Sequence, residues 1–251
     1  MTLFGAIIQA RHNSTRLPGK MSKDLLGKPL IARVVEQVSY SKLLNHVIVA
    51  TSDEESDNVL ADLCETYRFK CYRGSLDNVL KRFIDAAEKY NIDVILRITG
   101  DNPLTDPDLI DSVISEYKSN PTLDYINNVH RQGSVHGSGC ELVTTDALKR
   151  AYTEAVDSDK RDEFLEHVTL YIRKNRDRFK TKMFYPVKQL SKPEISYSVD
   201  YPEDFKLVEK IYESLYRNRK PISTREILDF LDRNPELLEL NRSLHDKLPE
   251  Y

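Results

Sequence analysis

The chain predicts an α/β fold: three layers around a mostly parallel sheet. Short apolar runs alternate with amphipathic stretches through the first half, and such alternation implies right-handed crossovers and parallel pairing. Residues 3–9 and 93–99 are apolar almost throughout, as strands covered on both faces tend to be.

The elements follow in order. Residues 3–9 read as the first strand. Pro29 suits a first helical position, and Leu30, Val34, Val35 and Val38 share one face. Residues 46–50 form a short β-branched strand. Asp53 is a candidate cap for a helix running to about Tyr67. Residues 70–72 are a weaker strand. Ser75 or Asp77 caps the next helix, with Val79, Leu80, Phe83 and Ala87 inward. After the strand at 93–99, Asp106 caps a helix with Pro107 at its start, and Leu109, Ile110, Val113, Ile114 and Tyr117 recur at helical spacing.

The rhythm breaks after Asn120-Pro121. Residues 125–128 and 140–144 read as strands joined by a loop rich in Gly, Ser and His. Residues 145–154 and 162–176 read as helices. Residues 121–195 form an arm built onto the main sheet, and Phe164, Val168 and Tyr171 make it the expected contact of a homodimer. Residues 195–199 read as a strand ending at Asp200. Pro202 opens a helix with Phe205, Val208, Ile211, Tyr212 and Leu215 on one face. A last helix, from about Thr224 to Asn234, precedes a polar tail expected to fray. The chain thus divides into residues 1–218 and a C-terminal helical extension, 219–251.

Composition narrows the function. At 251 residues and a formal net charge of −3, the chain carries no global basic field for nucleic acid. Cys64, Cys71 and Cys140 lack C-x-x-C spacing, so a zinc or disulfide framework is not expected and a reducing cytoplasm is. No basic leader opens the chain and no apolar run is long enough for a bilayer. Neither membrane nor nucleic acid is expected as a partner.

Sites in open parallel sheets lie past the carboxyl ends of the strands. The first strand ends in Ala10-Arg11-His12-Asn13-Ser14-Thr15-Arg16-Leu17-Pro18-Gly19-Lys20, and Gly27-Lys28-Pro29 follows. Arg11, Arg16 and Lys20 on a loop of Ser, Thr, Gly and Pro suit a polyphosphate, because amides and hydroxyls add hydrogen bonds and arginine grips phosphate oxygens in a fork. A solvated basic loop is the plainer alternative. Asp101 follows the strand at 93–99, and Asp200 ends the segment at 195–199. Two strand-end carboxylates facing a cationic loop suit magnesium, which takes hard oxygens and completes its shell with water and phosphate. Ordinary helix capping would explain either aspartate alone. Arg73, Ser75 and Asp77 lie on a loop at the same edge and are candidates for base or ribose. His130, His136 and His167 match no helical ligand pair, and His12 is a weaker phosphate candidate. The P-loop, the glycine-rich dinucleotide fingerprint and the G-x-S-x-G elbow are all missing.

The string from Ala10 to Lys20, with Gly27 to Pro29, resembles the N-terminal signature of SpsF-type cytidylyltransferases of polysaccharide synthesis. CMP-Kdo and acylneuraminate synthetases are their relatives. Arg97–Leu104 resembles the family's R-[IV]-T-G-D-x-P-L, and Ser198–Asp204 its [TS]-V-D-x-P-E-D. Glu166-His167-Val168-Thr169 and Gly139-Cys140-Glu141-Leu142 also have family counterparts. Departures fall at His12-Asn13, Asn102, Phe164-Leu165 and Ser196, mainly in the acceptor half.

The resemblance implies a GT-A-like sheet and a nucleotidyltransferase that binds CTP and Mg2+ and releases pyrophosphate. Arg11, Lys20 and Asp101 would be catalytic, with Lys20 the most sensitive to substitution. Ala10, Arg11, Ser14, Thr15, Arg16, Lys20, Arg73, Ser75 and Asp77 would bind nucleotide. Arg97, Glu141 and His167 would face a sugar, sugar acid or polyol acceptor, and Asp101 and Asp200 would hold the metal. Two rivals remain. One is a glycosyltransferase using a nucleotide-sugar, for which Asp106-Pro107-Asp108 and Asp157-Ser158-Asp159 match D-x-D. The other is a nucleotide sensor without turnover.

Overall fold

Strand β1 (Phe4–Gln9) pairs in parallel with β2 (His46–Ser52) on one side and with β4 (Val94–Thr99) on the other. These pairings come from a computed structural model that describes residues 1–128, 135–185, 192 and 195–245. Strand β3 (Lys70–Gly74) extends the sheet beyond β2. On the far side β6 (Glu141–Thr144) runs antiparallel to both β4 and β5 (Tyr125–Asn127), and β7 (Thr181–Met183) closes the edge parallel to β5. The order is β3-β2-β1-β4-β6-β5-β7, with a single strand reversed. The order switches direction between β1 and β4, which is where a crevice opens in such sheets.

The central strands are apolar on both faces because each face is covered. Phe4, Ala6 and Ile8 pack with helices α1 (Leu30–Val38), α2 (Asn58–Thr66) and α4 (Pro107–Ser119). Ile7, Ile48 and Ile95 face the opposite layer, built from α3 (Val79–Lys89), α5 (Thr145–Ala155), α6 (Arg161–Glu166) and α7 (Leu170–Lys174). A third cluster joins Leu17, Leu25 and Leu30 to α8 (Pro202–Leu215) and α9 (Thr224–Arg233). The loop after β1 therefore rests on the C-terminal helices. Ile222 exchanges hydrogen bonds with Gln37, and Thr224 N donates to Asp106.

Several local expectations are corrected. Pro29 sits at the cap of α1, one residue before the helix. Asp53 caps nothing: a 3-10 turn (Glu55–Asp57) intervenes before α2. Asn78, not Ser75 or Asp77, caps α3 by accepting from Lys81 N, while Ser75 Oγ accepts from Asn78 N. Residues 162–176 are not one helix. The chain leaves helical geometry at His167, Val168 enters the core, and Thr169 turns its hydroxyl to Glu141. Residues 195–199 are buried and carry only an isolated bridge, His136 to Ser196. Their amides serve loops instead of a ladder: Tyr197 N donates to His136 O and Val199 N to Asp101 O. Their apolar alternation reports burial across the sheet's end.

The arm is continuous with the sheet through the β4–β6 pairing. Phe164, Val168 and Tyr171 are 7%, 0% and 7% exposed within their own chain, so they are core residues and not a dimer surface. His130 and residues 246–251, the end of the tail expected to fray, lie outside the described residues. No helix among the described residues is long and apolar enough to cross a membrane.

Candidate active site

A cleft of about 850 Å3 opens at the carboxyl ends of the parallel strands, over the β1–β4 switch. Its floor is Gln9, Ala10 and Thr99. The loop after β1 supplies Arg11, Ser14, Thr15, Arg16 and Lys20, and the loop after β3 supplies Ser75 and Asp77. Asp101 and Asp200 meet there, and His167 comes from the opposite wall.

The tight geometry under this cleft depends on glycine. Gly19 has φ 67° and caps the 3-10 turn Lys20–Ser22, which turns Lys20 inward. At Gly100 a Cβ would stand 3.1 Å from Ala10 Cβ, Gln9 O and Met21 Sδ, so a larger residue would crowd the β4 end against the β1 end.

Lys20 is the centre of the charge pattern. It is 6% exposed. Its Nζ donates to Asp101 Oδ2 at 3.1 Å, to Asp200 Oδ1 at 3.2 Å and to Val199 O at 2.8 Å. Arg16 adds a 2.8 Å contact to Asp200 Oδ1 and lies over the Tyr201 ring. The two aspartates thus share one point, although they are far apart in sequence. The Val199 N to Asp101 O bond ties their loops together at 2.8 Å. Asp204, fully buried, fixes the second loop by accepting from the amides of Asp200 and Tyr201.

Burial opposes ionisation of Asp101, but the Lys20 charge and hydrogen bonds from Thr99 and Lys20 outweigh it. Its carboxyl is held below the usual carboxylate range. No group of three or more His, Cys, Asp or Glu side chains is placed to hold a metal ion among the described residues. Two carboxylates converging on one point are nevertheless the donor set a hard divalent cation takes when phosphate and water complete its shell.

The loop is braced from behind by Asp57. This carboxylate is 1% exposed and accepts from His12 N at 2.6 Å, from Thr51 Oγ1 at 2.8 Å, and from Ser52 N and Oγ. Burial opposes its charge, but these hydrogen bonds from Ser52, His12 and Thr51 hold its carboxyl low.

Three expected site residues lie outside the cleft lining. Arg73 donates to Ser52 O, Glu54 O and Asn58 Oδ1, so its guanidinium braces the loop after β2. Glu141 is 3% exposed and bonded by Arg97, Tyr125 and Thr169 Oγ1. Arg97 reaches the floor only through Gln9 Oε1, at 3.3 Å. The structure therefore places Arg97 and Glu141 behind the cleft lining, joined to it through Gln9. His136 bonds Ser196 Oγ and is also apart from the lining.

Neither D-x-D motif enters the cleft. Asp106 caps α4 and also accepts from Thr224 N, and Asp157-Ser158-Asp159 sits in the turn between α5 and α6. Polar lining residues that sequence reasoning did not assign to the site include Gln9, Thr99, Asn78, Arg161, Asp162 and, on α3, Arg82. Arg82 had a signal: it falls three residues after Val79 on the apolar stripe of its helix, where a charge is out of place.

With this geometry in view, comparison with known proteins is specific. The cytidylyltransferase family profile matches residues 5–225. An uncharacterized protein of Methanocaldococcus jannaschii is 36% identical over 249 residues, covering 98% of this chain and 97% of the relative. Spore coat polysaccharide biosynthesis protein SpsF of Bacillus subtilis is 33% identical over 235 residues, covering 92% and 94%. Among solved structures, a cytidylyltransferase from Leptospira borgpetersenii superposes with a TM-score of 0.87 over 100% of both chains, at 24% identity.

Proposed function

The chain belongs to the cytidylyltransferase family, and on that premise we propose that it transfers CMP from CTP to a sugar, sugar acid or polyol acceptor in polysaccharide synthesis. The observation that carries this reading is the convergence of Lys20, Asp101 and Asp200 at the end of the phosphate loop. The fold is read as GT-A-like. An acceptor oxygen attacks the α-phosphorus, the bond from that phosphorus to the β-bridging oxygen breaks, and pyrophosphate leaves. Such a displacement needs alignment and charge neutralisation more than a covalent nucleophile.

The residues divide that work. Arg11 and Arg16 neutralise the β- and γ-phosphates, while Ser14 and Thr15 add hydrogen bonds from the same loop. Lys20 is held by Asp101, Asp200 and Val199 O, so its ammonium is oriented before substrate arrives. Ser75 and Asp77 border the nucleoside end of the cleft. His167 and Glu166 face the acceptor from the arm. Asp101 and Asp200 would hold Mg2+ brought with the triphosphate, and the ion when bound supplies charge neutralisation at the reacting phosphate.

The test is CTP-dependent pyrophosphate release over a panel of acidic sugars and polyol phosphates, with and without magnesium. Release with at least one acceptor is expected; CTP binding without release with any acceptor would leave a nucleotide sensor. A cytoplasmic homodimer completes the proposal. With Phe164, Val168 and Tyr171 internal, pairing would use the arm's outer surface, and a monomeric mass by light scattering would exclude it.

A further inference from the structure

Arg82 lines the cleft from α3 but is 3% exposed. Its Nη1 donates to Ser75 O at 3.0 Å, its Nε is buried without a partner, and it forms no salt bridge among the described residues. Its stem packs on Gly74 at the end of β3: a Cβ there would lie 3.3 Å from Arg82 Cγ. The site is thus on the β3 side of the cleft and takes no part in the Lys20, Asp101 and Asp200 contacts. Burial pushes the guanidinium below its ordinary value. Asp57 and Asp53 oppose this and Arg11, a second cation of the lining, adds to it. A buried cation normally has a directly bonded counter-charge, because desolvation is costly.

We propose that Arg82, together with Arg11, is an oxyanion-binding position in the cleft, distinct from the Lys20 cluster, for a phosphate or carboxylate group of a substrate. The inference rests on the cleft being the substrate site of the proposed reaction. It adds a residue that the motifs do not contain. An arriving oxyanion would supply the missing counter-charge, and a guanidinium fork is suited to both phosphate and carboxylate.

The test compares wild type, Arg82→Met and Arg82→Lys by thermal melting and by titration with pyrophosphate, CTP and glucuronate. Arg82→Met removes a poorly compensated buried charge, so its ligand-free form is expected to melt no lower than wild type. Its Kd for the anion that uses the site is expected to rise about 10- to 100-fold, the usual worth of a charged hydrogen bond. A loss confined to pyrophosphate and CTP assigns the position to phosphate; a loss confined to glucuronate assigns it to a carboxylate. Arg82→Lys keeps the charge without the fork and is expected to fall between, which serves if Arg82→Met does not fold. Unchanged Kd values for all three probes in both variants, with a lowered melting temperature, would make Arg82 a structural brace and overturn the proposal. Wild type that binds CTP but releases no pyrophosphate with any acceptor would instead sink the transfer reaction and leave this position standing.

Discussion

Two ion-paired clusters contrast within this molecule, one at the carboxyl end of β4 and one along it. Lys20, Asp101 and Asp200 lie at the strand's carboxyl end, with side-chain exposures of 7%, 24% and 17%. Arg97, Glu141, Tyr125 and Thr169 lie along β4 and β6, and Glu141 is 3% exposed. In both, a carboxyl is held below the usual range against the opposing effect of burial: Asp101 by Lys20 and Thr99, and Glu141 by Arg97, Arg173 and the Tyr125 hydroxyl. They differ in closure. The first is open to the cleft, where a ligand can replace one of its contacts. The second is capped by Tyr125 and Thr169 and joins the arm to the sheet. An ion pair left open suits chemistry, and one closed by hydrogen bonds suits construction.

The sharpest break of this comparison is Glu141→Ala. It leaves the buried Tyr125 hydroxyl without its acceptor and Arg97, whose side chain is 22% exposed, without its carboxylate; breaking a buried pair from one side costs about 3–5 kcal/mol, and the lower end is expected here. The expected result in urea denaturation is a large fall in midpoint. A near-normal midpoint with acceptor KM alone raised would return Glu141 to the acceptor site.

Next is Lys20→Ala. Turnover should fall about 10²- to 10³-fold, as when one preorganised charge contact is lost. The bridging geometry adds a stability penalty that the motif alone did not suggest, because Asp101 would lose its ion-pair partner beside Asp200, which keeps only Arg16. Steady-state kinetics and melting check both parts; near-normal turnover removes Lys20 from the mechanism.

A smaller, joint effect is expected for Asp101→Asn and Asp200→Asn. Each should weaken magnesium-dependent release, and the double change should fall short of the sum because the pair acts as one unit. Strict additivity would mean that the aspartates work separately.

The smallest effect is in pH. A carboxyl depressed in the folded state adds stability above its unfolded pKa, about 4, and loses it as pH falls through the lower folded value. The melting difference between wild type and Asp101→Asn should therefore be flat from about pH 5 to 8 and shrink below about pH 4. The difference between wild type and Glu141→Gln should follow the same sign, since the Glu141 carboxyl is also depressed. A gap that widens in acid would contradict the pairing at either cluster.

Much of the fold was legible because its signals are local. The apolar runs that became β1, β2 and β4, the Asp106-Pro107 start of α4 and the helical spacing of α8 each depend on neighbours a few residues away. The cationic loop and the two aspartates were legible for the same reason: each ends an apolar segment. Residues 195–199 were misread because burial and strand pairing leave the same alternation, and only the fold decides where the amides go. Arg73 and Glu141 carried suggestive positions, yet their roles depend on which groups surround them.

What the sequence determined by itself is therefore the alternating architecture, the cationic loop from Ala10 to Lys20 as a candidate phosphate cradle, and the aspartates as candidates. What tertiary structure alone decided is that Lys20 touches both Asp101 and Asp200, that Glu141 is closed off, and that Arg82 lies in the cleft with no salt bridge among the described residues. The reason is range. Strand and helix signals are written within a few residues, whereas the contact between Lys20 and Asp200 spans 180 positions. Such a contact exists only once both sheet faces are covered and the strand ends are brought together.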